Sequence, residues 1–245
     1  DMTGVKKILT ITLLIFVAAV TVLALLNTYQ VVSFGFSSVI GSNSNGYVTK
    51  EVYAYSPWHK VKIAVVTGMH PRETVSKTVI PSVIKSYALK HNVELVNYQV
   101  NVTNDPEDFK IGRSNGESLA AQYIIPDVKK SGCDLVIICH DHEDGYGEGF
   151  YIATPTMDSK SLALGESVAN LMSNDSTSDF NYYTRSVDSG PKSTSIKRVD
   201  LPITSAGIPV FVYETPETSG NDEAGTMAYK LLDVSFNVLN AQTSK

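Results

Sequence analysis

"VVTGMHPRETVS", residues 65–76, is where an apolar run gives way to a helical pattern. The run "VKIAVVTG" (61–68) is apolar up to its closing glycine, as a buried strand would be. "TVSKTVIPSVIKSYALK" (74–90) has apolar residues at helical spacing, with Pro81 placed to kink it. His70 and Glu73 stand in between, at the mouth of the strand. Whatever fold follows must account for a strand, a polar junction and a helix in that order.

The same order recurs along the chain. "VELVNYQVNV" (93–102) alternates like a strand, and "SNGESLAAQYIIPDVKKSG" (114–132) reads as a helix interrupted by proline. "DLVIIC" (134–139) is a second buried strand, "GFYIATP" (149–155) another, and "SKSLALGESVANLMS" (159–173) a helix. "IPVFVYE" (208–214) is a third core strand, and a last helix covers 221–240. Alternation of this kind predicts an α/β fold: a mixed, mostly parallel sheet with helices on both faces. Sites in such sheets lie beyond the carboxyl ends of strands. That rule selects three places: 68–73, 140–143 and 214–217.

Each place carries ligand or proton-transfer chemistry. At the first, imidazole and carboxylate three residues apart would face one ion from the first turn of a helix. Pro71 suits such a start, although a carboxylate there is also favoured by the helix dipole alone. The second is "ICHDHEDGYGEG" (138–149), where His140 and His142 share one side of an extended segment. One of them would reach an ion and the other would support it from behind, unless the segment is simply a solvated acidic loop. At the third, "VFVYETPE", a carboxylate ends a buried strand, which is costly without a partner or a task. Glu214 there is a candidate general base; pairing with an arginine is the plainer role, and Glu217 is the fallback base. Two histidines, a glutamate and a water make a catalytic zinc set.

These motifs resemble the zinc carboxypeptidases and the related succinylglutamate desuccinylases and aspartoacylases. "TGMHPRE" is similar to the superfamily's strand followed by G-x-H-x-x-E, with Arg72 as in its H-x-R-E form. "DLVIICHDHE" resembles the strand that carries its third ligand, with His142 the better match to D-x-H and His140 the alternative. "VFVYETPE" is similar to the late strand that ends in its catalytic glutamate. The resemblance implies a zinc-carboxypeptidase-like domain holding one Zn²⁺ per chain through His70, Glu73 and His142, with Glu214 as base. It implies peptide or acyl-amino acid substrates, their carboxylate gripped by Arg72, or by Arg113 and Asn115 of "GRSNGE". No clear Asn-Arg pair of the superfamily's kind is present, and neither Tyr182 nor Tyr183 takes its tyrosine role with assurance.

Lys6 and Lys7 precede a stretch with no charge from Ile8 to Leu26. As a helix it measures about 28 Å, close to a bilayer core. Lysines in front and none just after predict a signal anchor over 1–30, with the amino terminus in the cytoplasm and the rest outside. A cleaved signal peptide is the rival, and packing between copies of this helix in an oligomer is a third reading. Residues 31–46, rich in Ser, Gly and Asn, read as a tether, so that the domain covers 47–245. Sequons at Asn101 and Asn174 agree with export. A net charge of -5 without a basic stripe argues against a nucleic-acid partner. Cys133 and Cys139 are the 2 cysteines, and on one strand they lie too far apart to pair.

The expectation is a single-pass membrane protein whose outer domain is a zinc-dependent amide hydrolase. A non-catalytic metal- or ligand-binding protein of the cell envelope, or a structural subunit, are the alternatives.

Overall fold

The computed structural model describes residues 2–28, 37–54, 56, 58–173, 180–184 and 193–243. Eight strands form one sheet: β1 (Ser38–Asn43), β2 (Gly46–Ala54), β3 (Lys62–Thr67), β4 (Glu94–Val102), β5 (Leu135–His142), β6 (Phe150–Ala153), β7 (Phe180–Tyr183) and β8 (Val210–Pro216). Their order is β1-β2-β4-β3-β5-β8-β6-β7. The centre β4-β3-β5-β8 is parallel, β2 and β6 run against it, β1 runs against β2, and β7 follows β6. The expected mixed, mostly parallel sheet is present.

Helices cover both faces, as expected. Strand residues of one parity, Ile63, Val65, Leu135, Ile137 and Cys139, share a cluster with residues of α2 (Thr74–Ala88), α5 (Ser159–Ser173) and α7 (Asn221–Thr243). The other parity, Ala64, Val66, Val136 and Ile138, meets α3 (Phe109–Leu119), α4 (Ile125–Ser131) and α6 (Leu201–Thr204). Two π turns complete that layer, Ala120–Ile124 between α3 and α4 and Ile196–Asp200 before α6. Each buried aliphatic side chain is worth about 1.5–3 kcal/mol. Strands apolar on both sides are therefore driven to the centre, and the polar residues that follow them are carried to one edge of the sheet.

The chain winds outward from β3 in two directions. β4 lies on one side of it, while β5 returns to the other. The crevice of such a sheet opens where the winding reverses, here beyond the carboxyl ends of β3 and β5.

Helix α1 (Met2–Thr28) includes Gly4–Leu25, long and apolar enough to cross a membrane at a mean hydropathy of 2.8, with none of it buried. The tether expected over 31–46 is corrected in its second half: β1 occupies Ser38–Asn43 and turns tightly into β2. Serine, asparagine and glycine there build a hairpin, with Asn43 Oδ1 accepting the Asn45 N–H at 2.8 Å. The edge is held to α3–α4 by Tyr123, whose hydroxyl donates to the Ser42 carbonyl at 2.7 Å. Residues 31–36 lie outside the described residues, as does Asn174. Asn101 lies within β4, and both cysteines are buried and free.

Candidate metal centre

β3 closes at Gly68, whose φ of 72° suits a residue without a side chain. The chain then makes a tight turn in which the Glu73 N–H donates to the His70 carbonyl at 3.1 Å. Pro71 occupies the second position of that turn, where its fixed φ is favourable. Helix α2 begins only at Thr74, with Glu73 as its N-cap residue. The two side chains are thus paired by the turn, one step before the helical face that the spacing predicts.

The Glu73 side chain makes no cap bond, because both its oxygens face histidines. Oε1 is 2.7 Å from His70 Nδ1, and Oε2 is 2.7 Å from His140 Nδ1. The two imidazoles stack with centroids 4.3 Å apart. One ligand atom from each of His70, Glu73 and His140 lies within 4.8 Å of the others, and all three residues are buried. It is the single group of this kind among the described residues.

The vacated cap is taken over from β5. Asp141 accepts the Val75 N–H at 2.7 Å through Oδ2 and the Ser76 N–H at 2.9 Å through Oδ1. Adjacent residues of one strand therefore serve two tasks. His140 faces Glu73, while Asp141, on the opposite side of the strand, fixes the helix that Glu73 begins.

His142, expected as the third ligand, is not part of this group. Its Nε2 lies 2.9 Å from the Gly149 carbonyl, its Nδ1 3.1 Å from that of Glu143, and its ring packs beside Tyr151. β5 continues through the histidines, still paired with β8 at His142–Pro216. Two residues along a strand amount to about 6.6 Å, which carries His142 past the turn that holds His70. The acidic loop 143–149 folds back over it.

Glu214 is the residue paired with His140 across β5 and β8, and it is half-buried. Glu217 is exposed, its N–H bonded to the His142 carbonyl. Arg113 donates to Glu73 Oε1 at 3.0 Å. Arg72 is exposed, and its guanidinium lies 5.9 Å from the Phe109 ring, which also carries Arg113 at 5.2 Å. Asn115 is turned elsewhere, to the Asn104 carbonyl at 2.9 Å, because it lies off the helical face shared by Arg113 and Glu117. The Tyr182 hydroxyl meets Thr154, and that of Tyr183 accepts the Glu148 N–H.

Two carboxylates complete the surroundings without having been expected. Glu117, 1% exposed, sits 3.5 Å from His70 Nε2 and accepts from Thr194 at 2.8 Å and Arg198 at 3.4 Å. α3 reaches this depth because Gly116 packs against the chain at Met69, where a Cβ would lie 1.7 Å from the carbonyl oxygen. Asp200 ends the second π turn, 1% exposed, and neither of its oxygens has a hydrogen-bond partner. A hint existed for Asp200, a lone acid among the apolar residues of "VDLPI" (199–203).

The charges are coupled. Burial raises the Glu73 pKa, but His140 and His70 outweigh it and hold the carboxyl well below the usual range. Burial lowers that of His140, yet Glu73 and Glu214 lift it to about 9. Asp200 is pushed up to about 7 by burial, with Glu117 and Glu214 adding to the rise and His140 opposing it. Two imidazole nitrogens and an ionised carboxylate, converging in a buried place, are a donor set that fits Zn²⁺ with a fourth position left over.

No family model matches the chain, and no curated protein matches it by sequence. Solved structures match by fold. A metallo-carboxypeptidase from Burkholderia cenocepacia superposes with a TM-score of 0.62 at 13% identity, over 91% of this chain and 68% of that one. One from Pseudomonas aeruginosa, in complex with (2-guanidinoethylmercapto)succinic acid, gives 0.62 at 12% identity, again over 91% and 68%. A tripeptide-bound cell-shape determinant from Helicobacter pylori gives 0.51 at 11%, over 79% of this chain and 55% of that one. This chain has the metallo-carboxypeptidase fold in a divergent sequence, and it covers from 55% to 68% of the length of these three.

Proposed function

We propose that the chain is a zinc-dependent hydrolase of amide bonds, acting on peptides or acyl-amino acids. The observation that carries this reading is the convergence of His70, Glu73 and His140 within 4.8 Å at the edge where the sheet's winding reverses. One Zn²⁺ held by these three residues would polarise the scissile carbonyl and lower the pKa of the attacking water. Glu214, beside His140, is placed to act as the general base, and its carboxylate would accept a proton there and return it to the departing amine. Glu117, 3.5 Å from the outer nitrogen of His70, stands where a supporting carboxylate would orient that ring from behind. Arg113, beside Glu73, would grip the substrate carboxylate with its planar fork, and Arg72 lies near the same Phe109 ring.

Helix α1 is read as the membrane anchor, with the domain from β1 onward outside the cytoplasm. Its length and apolar character support this, together with Lys6 and Lys7. Protease added to intact cells should then digest the domain, and full protection would reverse the topology.

The test of the enzyme is metal content and turnover on one preparation of the full chain in detergent. About one zinc per chain with hydrolysis of acyl-amino acids or short peptides is expected. Zinc with no turnover across a broad amide panel would favour a binding protein, and no zinc would remove the mechanism.

A further inference from the structure

The net charge is -5, yet exposed charge is unevenly divided over the domain. β3, β4, β5 and β8 all begin at one edge of the sheet, opposite the candidate metal centre. α2 and α4 lead back to that amino edge, because β4 and β5 start there. The topology therefore gathers Lys60 before β3, Lys85 and Lys90 at and just after the end of α2, and Lys129 and Lys130 at the end of α4. All of these are exposed. Lys50 and Lys62, by contrast, are paired with Asp127 and Glu94. Among the described residues, exposed carboxylates lie in the loops after β4, β5 and β8 and in the first turn of α7, all toward the far edge, and at Glu166 in α5. The domain is basic at one edge and acidic at the other.

The basic edge also carries exposed apolar side chains. Trp58, 68% exposed, stands in the connection from β2 to β3, and Leu89 is exposed beside Lys90. An indole among lysines suits a bilayer surface. The ring favours the headgroup layer, and a lysine reaches along its apolar stem to a phosphate. The chain path agrees. β1 runs in the same direction as β3 and β4, so the chain from α1 enters the sheet from the amino-edge side. From Thr28 to Ser38 an extended chain spans at most about 36 Å. With α1 across a bilayer, that span keeps the basic edge within reach of its surface.

We propose that the amino edge of the sheet docks on the bilayer that α1 crosses, with its lysines on anionic phospholipid headgroups and Trp58 in the headgroup layer. The proposal rests on the anchor reading of α1 for the tether, and on Trp58 and the lysines alone for the contact. β5 then carries His140 about 17 Å from the edge where that strand starts, so the candidate metal centre opens to the aqueous side.

Trp58 is the 1 tryptophan of the chain, so its fluorescence reports this edge alone. The full chain is reconstituted into phosphatidylcholine vesicles with and without phosphatidylglycerol. In the anionic vesicles Trp58 should emit at shorter wavelength, be quenched by lipids brominated near the headgroup, and be shielded from acrylamide. Salt at about 1 M, which cuts the range of charge interactions to about 3 Å, should weaken all three effects. Lys129→Glu combined with Lys130→Glu should lower the ratio of docked to undocked protein at least about tenfold. Wild-type Trp58 that stays open to acrylamide and indifferent to anionic lipid overturns the proposal without any variant, so a misfolded variant does not protect it. Docking that persists unchanged in the doubly substituted protein likewise overturns it. So does shielding of Trp58 that grows with protein concentration and shows no quenching by lipid, because a second copy would then cover this edge. Flotation of the same vesicles separates the two readings. A chain that fails to float with neutral vesicles has lost the anchor reading. The docking then stands if the chain floats with anionic vesicles and their lipid quenches Trp58, and falls if it does not.

Discussion

Glu73 and His140 stand 67 positions apart in the chain, and their side chains meet at 2.7 Å. The contact joins the turn after β3 to the last part of β5. It exists because those two strands are parallel neighbours whose carboxyl ends reach the same edge.

The first prediction concerns which histidine completes the metal centre. His140→Ala should weaken zinc binding more than His142→Ala does. Loss of a supporting residue behind a ligand typically costs about 10- to 100-fold in affinity, so loss of His140 itself should exceed that range. Zinc competition titrations on both variants provide the measurement. Equal retention by the two proteins would remove His140 from the ligand set.

Glu214 separates chemistry from metal holding. As a base that is not a ligand, it should tolerate Glu214→Gln with zinc unchanged and amide hydrolysis lower by about 10² to 10⁴-fold. Glu217→Gln, at an exposed position, should alter the rate far less. A Glu214→Gln protein as fast as wild type would end this mechanism.

Asp141 supplies a cap that Glu73 gave up. Asp141→Ala leaves the N–H groups of Val75 and Ser76 without their acceptor, and loss of a cap costs about 0.5–2 kcal/mol. Because Glu73 is the N-cap residue of α2, zinc affinity should fall together with stability. Urea unfolding and zinc titration of the same variant check both effects, and a stable variant with full affinity would show that the turn at His70–Glu73 holds without the cap.

Acid should weaken the far side of the sheet through Asp127. Burial raises its pKa, but hydrogen bonds from Lys50 (2.6 Å) and Tyr98 outweigh that and lower it below the ordinary 3.8. A carboxyl with a lowered folded pKa contributes stability above its unfolded pKa and loses it as pH falls through the folded value. Asp127→Asn should therefore cost about 1 kcal/mol at pH 7. The gap from wild type should begin to narrow near pH 3.8 and close below the folded value. Thermal unfolding of both proteins at a series of pH values gives the comparison, and a constant gap would exclude the linkage.

Much of this architecture was legible in the chain because its signals are local. The apolar runs at 61–68 and 134–139 place β3 and β5, and the helical spacing after Glu73 places α2. Polar residues directly after such runs mark the edge where His70, Glu73, His140 and Glu214 gather. The strand β1 was hidden because backbone pairing at a sheet edge tolerates Ser, Gly and Asn, whose composition reads as a linker. The long apolar helix was visible from its charge-free run alone.

The choice between His140 and His142 depended on the tertiary structure. Both side chains leave β5 on the same side, so periodicity treats them alike, and only the β3–β5–β8 register sets which one comes level with Glu73. Glu117 and Asp200 enter from helices packed across the sheet, at a depth set by Gly116 and by the π turn. Asp141 meets α2 because β5 and the start of that helix share one edge. A sequence pattern reports which face a residue takes on its own element. How far along that face it meets a residue of another element is decided by strand register and helix packing, and a shift of two residues, about 6.6 Å, separates the histidine that faces Glu73 from the one that does not.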